Sequence, residues 1–131
     1  MKSINNKAQR ILEYAYKNPD DRIGLVARYF RHVRSTFDNI EKLLIEKDQQ
    51  PNIKRWGSHW EIQSPFRIVA VPLGYGKGIC GYRFQAIFVD DMSLLSKQQI
   101  DECIIPHLSI RFNPITHPNQ PKPILVDLSH E

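Results

Sequence analysis

Two adjacent carboxylates, Asp90 and Asp91, end the apolar run Ala86-Ile87-Phe88-Val89. A rigid hydrophobic strand can fix the first where it holds Mg²⁺, commonly through water. It fixes the second where it orients and polarises an attacking water, as a nucleotide hydrolase requires. Read from QAIFVDDM alone, the plainer account is a strand leaving the core into a polar loop.

Other residues carry weaker chemical signals. Lys2-Ser3 opens a helical pattern, and Lys-Ser at a helix start is how a phosphate-binding loop ends. Met1 stands where that loop's last glycine belongs, and Ser3 serves equally as a plain helix N-cap. Residues 74–83 hold four glycines and Lys77, a composition that suits a phosphate cradle or, more simply, a turn between strands. Cys103 and His107 lie four apart, but no second pair completes a zinc site, and a buried cysteine near a helix end is the simpler account. Trp56 and Trp60 beside Lys54 and Arg55 suit base stacking, although hairpin packing explains them as well.

Charge is unevenly spread. Residues 1–67 carry 13 Lys/Arg against 8 Asp/Glu, and residues 68–131 carry 5 against 6. The basic half, densest at Arg28, Arg31, Arg34, Lys42, Lys54 and Arg55, suits a polyanion or simply a solvated surface. No apolar run approaches the ~20 residues that span a bilayer, and the N-terminus lacks a signal-peptide stretch. With two cysteines giving no disulfide framework, a reducing, cytoplasmic setting without membrane contact is expected.

Elements that would position these residues follow from periodicity. Ile4, Ala8, Ile11, Leu12 and Ala15 predict a helix over 4–17, stopped by Asn18-Pro19-Asp20-Asp21. A strand is expected over 22–30, and a helix over 31–47 with Val33, Phe37, Ile40 and Leu44 on one face. Residues 56–62 read as a short strand or hairpin edge, and 66–73 and 84–91 as strands. Ser96 and Gln99 resemble a capping box opening a helix near 97, which Pro106 limits. Residues 113–123 are a proline-rich loop and 124–129 a last strand. Helices alternating with short, nearly continuous apolar strands predict a single α/β domain over 1–131, with a parallel sheet between helices and ligands beyond the carboxyl ends of the strands.

In this order the pieces resemble the ATPase domain of phage large terminases, the motors that package DNA into procapsids. MKSINNKAQRILEYAYKNPDDRIGLVARYF resembles the family's G-K-[ST], first helix and following strand. RIVAVPLGYGKGICGYRFQAIFVDDM resembles the block whose strand leads to the Mg²⁺-binding (Walker B) and catalytic carboxylates, and QQIDECIIPHL the helix after it. ILVDLSHE stands where the coupling strand would be. The resemblance spans nearly the whole chain and rests on order and spacing. It implies a P-loop NTPase-like fold, truncated at the N-terminal phosphate loop, that takes ATP and Mg²⁺. It assigns Lys2 and Ser3 to nucleotide, Asp90 to Mg²⁺, Asp91 to the place of the catalytic glutamate and Ser129 to coupling. It also implies duplex DNA as partner, through Arg28, Arg31, Arg34, Lys42, Lys54 and Arg55, with other terminase or procapsid chains.

The departures shape the expected activity. The phosphate loop before Lys2 is missing, Cys80 stands for the arginine before Gly81, Asp91 shortens the catalytic glutamate, and Asp127 and His130 break the coupling pattern. Backbone N–H donors are the substance of a phosphate loop, so the chain alone is expected to be a fragment or degenerate copy, inactive without a partner chain. The alternative is a small basic module that binds nucleic acid or a packaging partner without catalysis.

Overall fold

The computed structural model describes residues 3–56, 59–72, 84–108 and 123–129, without the side chains of residues 3–5, Trp56, His59 and Val71. Helix α1 (Ser3–Lys17) forms where the apolar residues recur every three to four positions, and it buries Ala8, Ile11, Leu12 and Ala15. Asn18 ends it. Its backbone N–H and its side-chain amide both donate to Tyr14 O, at 2.9 and 3.1 Å, ahead of Pro19. Strand β1 (Arg22–Ala27) is shorter than its apolar run, because Phe30 already opens α2 (Phe30–Glu46). Arg28 and Tyr29 therefore lie in the strand-to-helix turn rather than in the strand expected over 22–30. Asp48, with φ 59°, takes the left-handed conformation just past α2.

Strands β2 (Asn52–Trp56) and β3 (His59–Ser64) make an antiparallel pair; β4 (Arg67–Pro72) and β5 (Ala86–Val89) follow. A turn at Met92–Leu94 leads to a single helical turn, α3 (Lys97–Gln99). The chain then widens into a π-type turn at Ile100–Ile104 and tightens at Ile105–His107, where Pro106 sits. The expected capping box is present: Ser96 Oγ accepts from Gln99 N at 3.0 Å, and Gln99 Oε1 accepts from Ser96 N at 2.9 Å. Strand β6 (Ile124–Asp127) completes a six-stranded sheet of order β2-β3-β4-β1-β5-β6. The loops expected at 74–83 and 113–123 lie outside the described residues, apart from Pro123.

The sheet is mixed where a parallel one was expected. β4, β1, β5 and β6 run parallel, and the β2–β3 pair adds on antiparallel at the β4 edge. The sequence signalled only part of that pair, since Asn52–Trp56 lacks a strong apolar alternation. Gln85 keys the register at the amino edge. Its N donates to Arg22 O at 3.0 Å, its Oε1 accepts from Arg22 N at 2.6 Å, and its O accepts from Ile124 N at 3.0 Å.

Alternation divides the apolar side chains between two faces. Ile23, Leu25, Ala27, Ile68, Ala70, Ala86 and Phe88 pack under α1 and α2. Val26, Val69, Ile87 and Val89 pack on the other face against Phe84, Leu95 and Ile104. Gly24 is placed by that second face, since a Cβ there would lie 3.1 Å from the Phe84 ring. We expect Gly24→Val to lower unfolding free energy by about 1–3 kcal/mol through overpacking. Urea denaturation should show part of that loss restored in Gly24→Val/Phe84→Leu.

At the far end of α1, Tyr14 donates its hydroxyl proton to Asp21 Oδ2 at 2.5 Å and meets Phe88 edge to face. Burial first, then the hydrogen bond to Asp21 and its negative charge, raises the phenol's pKa above its ordinary value. The folded state thus retains a proton that the unfolded chain loses, so stability is present below the unfolded value near 10 and falls as pH rises through it. Denaturation midpoints followed from about pH 9.5 to about pH 11.5 should show this fall, and Tyr14→Phe should flatten it.

Candidate functional site at the carboxyl end of the central strands

Asp90 directly follows β5. Its N donates to Val26 O at 2.9 Å, so the backbone still follows the β5–β1 ladder. Alternation turns its side chain to the face of Phe88, toward α1 and α2. The residue is only 7% exposed. Lys7 Nζ donates to Asp90 Oδ1 at 2.9 Å, and His32 Nδ1 lies 3.9 Å from Asp90 Oδ2. Lys7 borders the buried stripe of α1, and His32 sits in the first turn of α2. His32 Nδ1 is buried and has no hydrogen-bond partner among the described residues. The cluster thus joins three elements around one carboxylate: Lys7 lies 83 positions from Asp90 in the chain.

Asp91 turns to a different task. Its Oδ1 accepts from Ser93 N at 3.0 Å and from Ser93 Oγ at 2.6 Å, capping the turn at Met92–Leu94. The same local form recurs at the end of β6. Asp127 Oδ1 accepts from Ser129 N at 3.0 Å, from Ser129 Oγ at 2.6 Å and from Met92 N at 3.3 Å. Ser129, expected to mark the coupling segment, is thus engaged with Asp127, beside the turn that Asp91 caps. Nearby, Arg10 Nη1 donates to Leu128 O at 3.2 Å, and Leu128 N donates to Val89 O at 2.8 Å. Lys7 and Arg10, one helical turn apart, tie α1 to the ends of β5 and β6.

Of the residues assigned to nucleotide, Lys2 and the Ser3 side chain lie outside the described residues. Lys7, His32, Arg10 and Asp127 carry the site's observed geometry, and sequence reasoning missed them. A usable signal for Lys7 was its place beside Ala8 and one turn before Ile11, at the border of an otherwise apolar stripe.

The residues present do not fit Mg²⁺ held at Asp90. A fixed ammonium is at bonding distance from one carboxylate oxygen, and a dication would compete with it for the same charge. Asp91 is engaged in its cap.

The six basic residues expected to meet DNA do not form one cluster. Arg28, Tyr29 and Arg31 group at the start of α2, with the guanidinium carbons 5.4 and 4.8 Å from the Tyr29 ring centroid. Arg34 and Arg55 lie over Trp60, at 5.9 and 4.6 Å. Arg55 also pairs with Glu41 at 2.8 Å and lies 3.9 Å from Asp38. Lys42 and Lys54 are exposed, and Lys42 lies about 16 Å along the α2 axis from Arg31 at 1.5 Å per residue.

No protein-family model matches the chain, and no curated protein matches it in sequence. Solved structures are similar in fold. The large terminase of a thermophilic bacteriophage, in its second crystal form, matches with a TM-score of 0.56 at 11% identity over 96% of this chain and 30% of that one. The same terminase with ADP gives 0.57 at 10% identity, covering 96% and 30%. With ATP-gamma-S it gives 0.56 at 12% identity, covering 96% and 29%. The chain has an α/β fold like part of a large terminase and spans about 30% of those structures.

The Lys7–Asp90 pair generates a thermodynamic prediction. Lys7→Met should leave a largely buried carboxylate uncompensated and cost about 3 kcal/mol. Asp90→Asn in the same chain should recover most of that loss. A double-mutant cycle by chemical denaturation at pH 7 checks it; additive effects would mean that the pair is not coupled.

Proposed function

We propose that the chain serves as part of the nucleotide domain of a DNA-packaging motor. ATP is the ligand of the assembled site, the isolated chain does not hydrolyse it, and turnover requires a partner polypeptide. The observation that carries this reading is the terminase-like fold over 96% of the chain, with Asp90 at the carboxyl end of a central parallel strand. Parallel α/β sheets bind ligands at that edge. The phage terminase crystallised with ADP and with ATP-gamma-S supports a nucleotide as ligand. The proposal includes a cytoplasmic setting, duplex DNA as the cargo, and other terminase or procapsid chains as partners. No helix among the described residues is long and apolar enough to cross a membrane.

Within this reading, the chain's own residues position rather than react. Lys7 neutralises Asp90, and Asp91 holds the following turn. Losing one positioned charge-stabilising donor costs on the order of 10²–10³ in rate in well-studied enzymes, so a site with these groups otherwise engaged should be silent. These engagements also favour a second reading, a non-catalytic module of the same fold that docks on DNA or on a packaging partner.

Two measurements separate the readings. Phosphate release by the isolated chain with ATP and Mg²⁺ should not exceed the protein-free rate. Robust turnover abolished by Asp90→Ala would overturn the claim of silence. Calorimetric titration of the chain with ADP should detect binding; no heat at millimolar ADP would favour the non-catalytic module.

A further inference from the structure

The turn between β1 and α2 carries two guanidiniums on one ring. Arg28 and Arg31 both lie over Tyr29, and all three residues are exposed, Tyr29 to 42%. Arg28 is held from a second side, because its Nη1 donates to Leu94 O at 3.1 Å. No carboxylate lies within ion-pair distance of Arg28 or Arg31 among the described residues, whereas Arg55 has Glu41 and Asp38. Two like charges held side by side without a counter-charge form a preset anion site, and fixing them in advance lowers the entropic cost of binding.

The kind of anion follows from what the rings are doing. Tyr29 has guanidiniums over it, and Trp60 has Arg34 and Arg55 over it, with Phe30 and Phe37 edge-on. Rings that seat arginines are poorly available for stacking unpaired bases. The contact that remains is guanidinium to phosphate, which carries no base sequence and suits a duplex, whose bases are already stacked.

We propose that Arg28 and Arg31, positioned by Tyr29, form the surface on which this chain meets the phosphodiester backbone of duplex DNA. This deepens the packaging reading above by naming its DNA-facing residues. Arg34, which lies over Trp60 and not Tyr29, and Lys42, Lys54 and Arg55 lie outside the surface. Lys42 sits about 16 Å away along α2, Lys54 is on β2, and Arg55 is compensated by carboxylates.

Fluorescence anisotropy with two unrelated duplexes across a salt series, without nucleotide, tests the proposal. Both duplexes should bind the full chain equally, with dissociation constants of about 10⁻⁴ to 10⁻⁶ M at physiological salt. Arg28→Ala/Arg31→Ala should reduce the slope of log K against log salt by about 1.8, roughly 0.9 for each phosphate that an arginine no longer neutralises. Tyr29→Phe should bind as the unaltered chain does, and Tyr29→Leu about 2- to 5-fold more weakly, as removal of two exposed cation–π interactions implies. Lys17→Ala, which removes one charge at the opposite end of α1, should leave the affinity unchanged. The proposal fails if the double arginine variant keeps its slope, if Lys17→Ala weakens binding as much, or if one sequence is strongly preferred. It fails also if a single strand of equal length binds more than tenfold tighter than the duplex. Because the assay contains no nucleotide, such a failure counts against this surface and not against nucleotide binding in the packaging reading.

Discussion

One buried carboxylate organises this molecule. Asp90 stands where β5 leaves the sheet, and its backbone completes the ladder to β1 while its side chain faces two helices. A carboxylate in that position is costly to desolvate unless a cation meets it. Lys7 supplies the cation from α1, and His32 closes in from α2. The helical layer is thereby pinned at the carboxyl edge of the parallel strands, where apolar packing alone sets no fixed point along the strand direction. Arg10 adds a second tie one turn further along α1, to the carbonyl beyond β6.

The same edge collects the other polar devices of the chain. Asp91 and Asp127 each hold a serine two residues on, and Asp127 also takes the amide of Met92. These bonds join the segments after β5 and β6 into one hydrogen-bonded rim. On the far side of His32, Tyr29 meets its ring at 5.8 Å and carries Arg28 and Arg31. Negative charge at this edge is engaged, Asp90 by Lys7 and Asp91 and Asp127 by their serines. Positive charge at the start of α2 is exposed, with no carboxylate in ion-pair reach among the described residues. That asymmetry is the electrostatic content of the terminase-like fold in this chain.

The sheet's construction explains why this edge is rigid. β1 pairs with β4 on one side and β5 on the other, so each of its ends is fixed by two ladders. Gly24 lets Phe84 press against the strand from below, and the bridge between Phe84 and Leu108 draws the helical turns after β5 under the second face. The β2–β3 hairpin extends the sheet at its β4 side and brings Trp60 against Phe30 and Phe37 of α2.

The sequence by itself determined the local elements. Residues three and four apart define α1 and α2, Asn18-Pro19 ends the first helix, and Ser96 with Gln99 caps the turn that follows β5, because each signal acts within a few residues. The acidic end of the β5 run was legible for the same reason, as was the order of motifs that resembles a terminase domain. The tertiary structure decided which aspartate is buried, what neutralises it and which arginines, among the described residues, have no carboxylate beside them. Lys7 and Asp90 are 83 residues apart, and nothing in either one's local spacing marks the other. Only the strand order places the start of α1 over the end of β5. The alternation of one residue then sends Asp90 to the helices, while Asp91 caps the turn that follows.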